Sequence, residues 1–156
     1  MIHNSKKQGF SFIEILVVLA VLAIVVAFGA TAFLPFYRNQ ILNGALEQVV
    51  ALINEARSKT LSSEDASQYG VHFETSKITL FKGTIFSESN PDNQEFKLPS
   101  SVEISEILLN GGGPDLVFKR LTGETNQFGR IGLKLKADTP RVKSITIETS
   151  GLVNID

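Results

Sequence analysis

The sequence predicts an α+β fold in which one long N-terminal helix packs against an antiparallel β-sheet or small β-sandwich head. Three observations carry this. An uncharged run from Ile15 to Tyr37 is followed by a pattern of period three to four. Beyond Ser67 the apolar period falls to two. No second helical pattern follows, and the links between the alternating stretches are rich in Gly, Pro, Asn and Asp.

Ile15 to Leu34 is apolar apart from Thr31. Twenty helical residues rise about 30 Å, enough to cross a bilayer. Glu14 stands just inside the start of this run. A carboxylate costs about 2.5–3.5 kcal/mol at the centre of a membrane helix and less near the interface, so a compensating partner is expected. Phe33, Phe36 and Tyr37 suit the far interface, and Arg38 marks the return to water. Pro35 removes a backbone donor, so a kink or local break is expected nearby, with Gly29 and Gly44 as further weak points.

From Asn39 the helix turns amphipathic. Leu42, Leu46, Val49, Ile53 and Ala56 recur on one face, and Asn43, Glu47, Gln48, Asn54, Glu55 and Arg57 lie largely opposite. The helix is expected to reach about Leu61 and stop in Ser62-Ser63-Glu64-Asp65. Strands are expected at Val71–Glu74, Lys77–Lys82, Val102–Ser105, Leu116–Lys119, Ile131–Lys136 and Val142–Glu148. The chain should close with a hairpin turning at Gly151.

At 156 residues, one globular domain remains once the N-terminal segments are set aside, and about ninety residues suffice for a small β core. The net charge of −1 and pI of about 6.1 predict no general affinity for nucleic acid or anionic lipid. With no cysteine, packing and strand pairing alone must hold the C-terminal part.

The N-terminal residues carry the sharpest signal. Lys6-Lys7-Gln8-Gly9-Phe10-Ser11-Phe12-Ile13-Glu14, followed by Ile-Leu-Val-Val-Leu-Ala, resembles the processing signal of type IV pilins and type II secretion pseudopilins. The resemblance implies cleavage after Gly9 by a prepilin peptidase and methyltransferase, and N-methylation of the new terminus, Phe10. It also implies a pilin-like fold, a bacterial inner-membrane location with one pass, and a head in the periplasm or outside. The partners implied are other pilin or pseudopilin subunits and an inner-membrane assembly platform. The residue chemistry agrees. Gly9 suits a peptidase subsite that tolerates no Cβ, and Lys6 and Lys7 hold the leader in the cytoplasm. Glu14 lies four residues after Phe10, where it can pair with a subunit's terminal amine. Opposite unit charges about 4 Å apart attract by about 4 kcal/mol at an effective dielectric of 20, which offsets much of the insertion cost.

The expected organisation is a cleaved leader (1–9), a membrane and assembly helix (10–36), an amphipathic continuation (37–63) and an extracytoplasmic β head (67–156). Two alternatives compete. A secretory signal would use Ala30-Thr31-Ala32 as its cleavage site, but the apolar run is long and carries a charge near its start. A plain anchor would let Glu14 snorkel. Neither accounts for the placing of Gly9 and Glu14.

Ala56-Arg57-Ser58, the Val71–Phe73 strand and Ile145–Val153 are similar to the H-type minor pseudopilin of type II secretion and to the minor pilin FimT. FimT-like proteins of DNA uptake contact DNA through a basic C-terminal end. Here the chain ends Leu152-Val153-Asn154-Ile155-Asp156, which argues against DNA as a partner.

No catalytic site, metal or cofactor is expected, and the chain reads as a structural subunit rather than an enzyme. His72 alone remains after loss of His3, and it reads as a satisfied or solvent-facing strand residue. Asp92, Asn93 and Glu95 lack EF-hand spacing and read as a solvated loop. Lys134, Lys136 and Lys143, with Arg141, could form a basic stripe, though a solvated face is the simpler reading. Ala20, Ala23, Ala27 and Ala30 follow one helical face and would admit close helix packing, or are apolar filler. The alternative function is a minor or tip pilin whose head binds DNA or a surface ligand.

Overall fold

The computed structural model describes residues 10–156, excepting the side chains of 30–35 and 138–141. Helix α1 spans Phe12–Leu61. The backbone stays helical through Gly29, Pro35 and Gly44, so the local break expected near Pro35 is not seen. The chain divides into two compact units, Met1–Tyr37 and Arg38–Asp156.

Within the second unit the amphipathic stripe is the centre of the core. Leu42, Ala45, Leu46, Val49, Ile53 and Ala56 are buried, while Asn43, Glu47, Gln48, Asn54 and Glu55 face water. At Thr60 the helix is tied to the first strand by one hydroxyl. Its Oγ1 donates to Ala56 O at 2.8 Å and accepts from Tyr69 N at 2.9 Å, so neither buried polar group is orphaned.

The helix stops at Leu61 because the backbone then turns left-handed at Ser63, Asp65 and Ala66, with φ of 51°, 49° and 53°. Such residues cost about 1–3 kcal/mol each unless their surroundings hold them. Here Lys82 Nζ lies 3.0 Å from Asp65 Oδ2, the Tyr69 hydroxyl donates to the same oxygen at 3.3 Å, and Lys59 pairs with Glu64 at 3.5 Å.

Eight strands follow: β1 Tyr69–Phe73, β2 Lys77–Lys82, β3 Gln94–Lys97, β4 Val102–Leu109, β5 Asp115–Val117, β6 Gly129–Leu135, β7 Asp138–Ile147 and β8 Val153–Ile155. They form two antiparallel four-stranded sheets, ordered β3-β2-β1-β5 and β4-β6-β7-β8. One continuous core joins them. Val71, Phe73, Ile78, Leu80 and Leu116 come from the first sheet, and Val102, Ile104, Ile131, Leu133, Ile145 and Ile147 from the second. The alternation places these residues on the inner faces, as a half-buried sheet requires.

Three details depart from expectation. β3 was not expected, because its residues are all exposed and pair with β2 along a sheet edge, leaving no apolar period to read. β4 runs on to Leu109 rather than ending at Ser105. A register shift between Ile104 and Glu106 resets the alternation, so Ile107 and Leu109 rejoin the core side. The fourth expected strand, Leu116–Lys119, is the three-residue β5, with Phe118 held by an isolated bridge to Thr125. The closing hairpin forms as expected. Gly151 adopts φ 77°, and Ile147 pairs with Val153.

The first sheet also buries residues on its outer face. Phe81 lies over Gly70, where an added Cβ would come within 2.6 Å of Phe81 Cζ and 2.7 Å of Leu116 O. Phe86, from the β2–β3 connection, meets Phe81 edge-on at 5.5 Å and stacks on His72 at 3.8 Å.

Two predictions follow from these contacts. Gly70→Ala is expected to destabilise the chain by about 1–3 kcal/mol, since the Phe81 ring and the β5 backbone must both shift. Thermal unfolding followed by near-UV circular dichroism checks this, and an unchanged melting temperature would contradict the packing described. The second concerns acid. Hydrogen bonding from Lys82, then its charge, holds the Asp65 carboxyl below its ordinary value. The associated stability is therefore present above the ordinary carboxylate pKa, about 4, and is lost as pH falls through the lower folded value. Asp65→Asn should flatten the acid limb of the melting profile below about pH 4. A limb as steep as the parent's would show that Asp65 contributes nothing to it.

Candidate assembly and processing site

The first described residues build the N-terminal end of α1. Ser11 O accepts from Glu14 N at 3.0 Å and from Ile15 N at 3.3 Å, so Ser11 occupies the N-cap position by its backbone. Phe10 therefore lies just ahead of the helix rather than within its first turn. Glu14 sits in that first turn, where the helix dipole favours a negative charge. Its side chain is exposed, and no partner for the carboxylate occurs among the described residues. Lys6, Lys7 and Gly9 lie outside the described residues.

The helix that carries Glu14 is apolar on every side. Phe12–Gly29 has a mean hydropathy of 2.9, and none of it is buried within the chain. Phe12, Ile13, Val25 and Val26 are among its exposed side chains. A soluble protein seldom exposes more than a few hundred Å² of contiguous apolar surface, so lipid or other helices must cover this one. Ala20, Ala23 and Ala27 recur along it and are exposed, while the Ala30 side chain lies outside the described residues.

The other polar clusters singled out in the sequence do not assemble into a chemical centre among the described residues. His72 Nδ1 is hydrogen-bonded to Asp115 Oδ1, and its Nε2 lies 3.9 Å from Glu74. The ring is further covered by Phe86, so the histidine is a satisfied residue. Asp92, Asn93 and Glu95 do not converge. Asn93 Nδ2 donates to Ser87 O at 2.8 Å, Asn90 Oδ1 accepts from Asp92 N at 3.0 Å, and Glu95 pairs with Lys77 at 3.1 Å. Among the described residues no group of three His, Cys, Asp or Glu side chains could hold a metal ion. The basic stripe is also broken. Lys134 pairs with Glu103 at 3.2 Å, whereas Lys143 lies opposite Leu133 and reaches Asn43 on α1 at 2.8 Å. The Arg141 side chain lies outside the described residues.

Arg57 does not stand in water with the other polar residues of the helix as expected: it is half-buried and bonded to the head. Its Nε donates to Gly123 O at 3.1 Å and its Nη2 to Ser150 O at 3.3 Å, so the end of α1 pins two separate turns. Those turns touch: a Cβ on Gly151 would lie 2.0 Å from Gly123 O. The available signal was an arginine beside the buried Ala56, with turn glycines far along the chain, and spacing alone does not connect them.

Residues 4–30 match the prokaryotic N-terminal methylation motif, a stretch that contains Lys6, Lys7, Gly9, Phe10 and Glu14. No curated protein matches the sequence significantly. Among solved structures, the chain is similar to the type IV minor pilin FimU of Pseudomonas aeruginosa, in two crystal forms. The TM-scores are 0.56 and 0.57 at 14% identity, covering 74% and 78% of this chain and 92% of FimU. The fold is shared with a minor pilin. It is also similar to the minor pseudopilin EpsH of the Vibrio cholerae type II secretion system, with a TM-score of 0.56 at 13% identity over 76% of this chain and 94% of EpsH. The α+β expectation, one long helix with antiparallel sheets, therefore agrees with the fold and with these solved structures.

Proposed function

We propose that the chain is a structural subunit, a minor pilin or pseudopilin, of a type IV pilus or a type II secretion pseudopilus. The observation that carries this reading is the uncovered apolar helix with Glu14 in its first turn, directly after a methylation motif and followed by a head of minor-pilin fold. In this reading 1–9 is a leader removed by prepilin peptidase after Gly9, and Phe10 becomes the methylated terminus. Segment 10–36 anchors the subunit in the inner membrane and then packs among other subunits' helices. Segment 37–63 and the β head, 67–156, lie outside the cytoplasm. The assembly platform is the partner that moves the subunit between these states. Phe10 stands ahead of the helix, and Glu14 has no partner among the described residues. That arrangement suits a pair between one subunit's terminal amine and another's Glu14.

The function is structural rather than catalytic. A DNA-binding head is less well supported. Asp156 accepts from the Thr146 hydroxyl and lies 3.9 Å from Arg130, so the last residue brings negative charge to the one place where the FimT comparison would want positive.

Processing and assembly are separable by mutation. Gly9→Val should block cleavage, because a branched side chain then flanks the scissile bond. Mass spectrometry of membrane protein from a host with the peptidase should find methylated Phe10 in the parent and intact Met1 in the variant. A parent that starts at Met1 or Phe33 would sink the reading. Glu14→Gln should insert and be cut normally but assemble poorly, since a neighbour's amine is then left uncompensated in an apolar bundle at a cost of several kcal/mol. Undiminished filament or pseudopilus yield would leave Glu14 as a residue of the membrane interface.

A further inference from the structure

We infer that Asn110, in the β4–β5 connection, is a self-modifying site. Its side-chain amide cyclises onto the Gly111 nitrogen and opens to isoaspartate, which releases this turn from Asn126. The inference does not depend on the filament reading. Asparagine is thermolabile, and a following glycine leaves its own nitrogen open to attack because no Cβ shields it. The sequence holds two Asn-Gly dipeptides, Asn43-Gly44 and Asn110-Gly111. The fold treats them in opposite ways.

Asn43-Gly44 lies inside α1. The helical ladder engages the Gly44 nitrogen, which cannot swing onto the side chain without breaking turns of the helix. The side chain is held as well, since Asn43 Oδ1 accepts from Lys143 Nζ at 2.8 Å.

Asn110-Gly111 is free where the first dipeptide is bound. Gly112 N donates to Leu109 O at 2.9 Å, closing a turn with Asn110 and Gly111 at its centre. Gly111 takes φ 97°, as the third position of such a turn often demands of glycine. The peptide joining the two central residues is unbonded on both sides among the described residues, at Asn110 O and at Gly111 N. Both residues are exposed, and a Cβ built on Gly111 or Gly112 would meet nothing within 4 Å. That peptide has room to rotate and present its nitrogen to Asn110 Cγ. One bond holds the side chain, Nδ2 donating to Asn126 O at 2.9 Å, and it engages the leaving nitrogen rather than Cγ.

The reaction needs only water. The Gly111 nitrogen loses its proton to solvent and bonds to Asn110 Cγ. The Cγ–Nδ2 bond breaks, and Nδ2 leaves as ammonia after taking up a proton. Water then opens the cyclic imide at either carbonyl. Opening at Cγ gives aspartate, and opening at the Asn110 backbone carbonyl gives isoaspartate, with the main chain routed through Cβ and Cγ. Nothing is oxidised or reduced. Either product sets a carboxylate oxygen where a donor faced Asn126 O. Two acceptors then oppose each other, and the tie is lost.

The test uses the purified full-length chain in detergent, aged in mildly alkaline buffer and then digested. Mass spectrometry with electron-transfer fragmentation separates isoaspartate from aspartate. In the folded chain, conversion at Asn110 is expected to run several-fold ahead of conversion at Asn43. In urea, where no fold distinguishes them, the two rates should converge. Asn43 matching Asn110 in the folded chain, Asn110 converting only in urea, or a gap equally wide in urea would each overturn the inference. Asn110→Gln keeps an amide but enlarges the ring it must close, so conversion in this turn should stop; a product that persists there would overturn the assignment. Asn110→Asp tests the consequence. Hydrogen exchange across residues 109–112 should rise several-fold over the parent, and an unchanged rate would overturn the release of the turn.

Discussion

Both sheets of the head depend on one packing interaction, the burial of the Leu42–Leu46–Val49–Ile53–Ala56 stripe. Residues of each sheet meet this face, so the stripe is the common floor of a core that neither sheet could complete alone. Burying a leucine or isoleucine side chain contributes about 1.5–3 kcal/mol, and a small domain without disulfides has few other sources of stability.

The polar contacts work at the helix end, where the chain must reverse. Thr60, Asp65 and Arg57 act in succession within nine residues of sequence. Thr60 joins the helix to β1, Asp65 and Lys82 brace the left-handed turn, and Arg57 collects two carbonyls from distant turns. None of these side chains is chemically reactive in its setting. Together they hold the end of α1 to β1 and to the two distant turns.

The N-terminal half of α1 follows the opposite rule. In the amphipathic half, polar residues mark the face turned to water; from Phe12 to Gly29 no face is so marked and none is covered. A carboxylate at the start of such a helix is tolerable at the first turn, where the dipole and free backbone amides favour it. It becomes informative because the rest of the helix offers it no partner. Among the described residues, the carboxylate at this end is left without a partner.

Much of this was legible in the residues. Hydrophobic period alone separates the uniformly apolar half of α1 from the amphipathic half, and alternation places most of the strands, because burial on one face is a local demand repeated along the chain. The methylation motif is likewise local, with a glycine, an aromatic residue and a glutamate within six positions. What only the tertiary structure decided has no local period. β3 is an edge strand with no buried face, and the β4 bulge hides half of a long strand. The pins made by Arg57 join residues 66 and 93 positions apart, and the outer-face contact of Gly70 with Phe81 rests on cross-strand register. Sequence pattern records which residues avoid water, whereas the fold decides which of them meet.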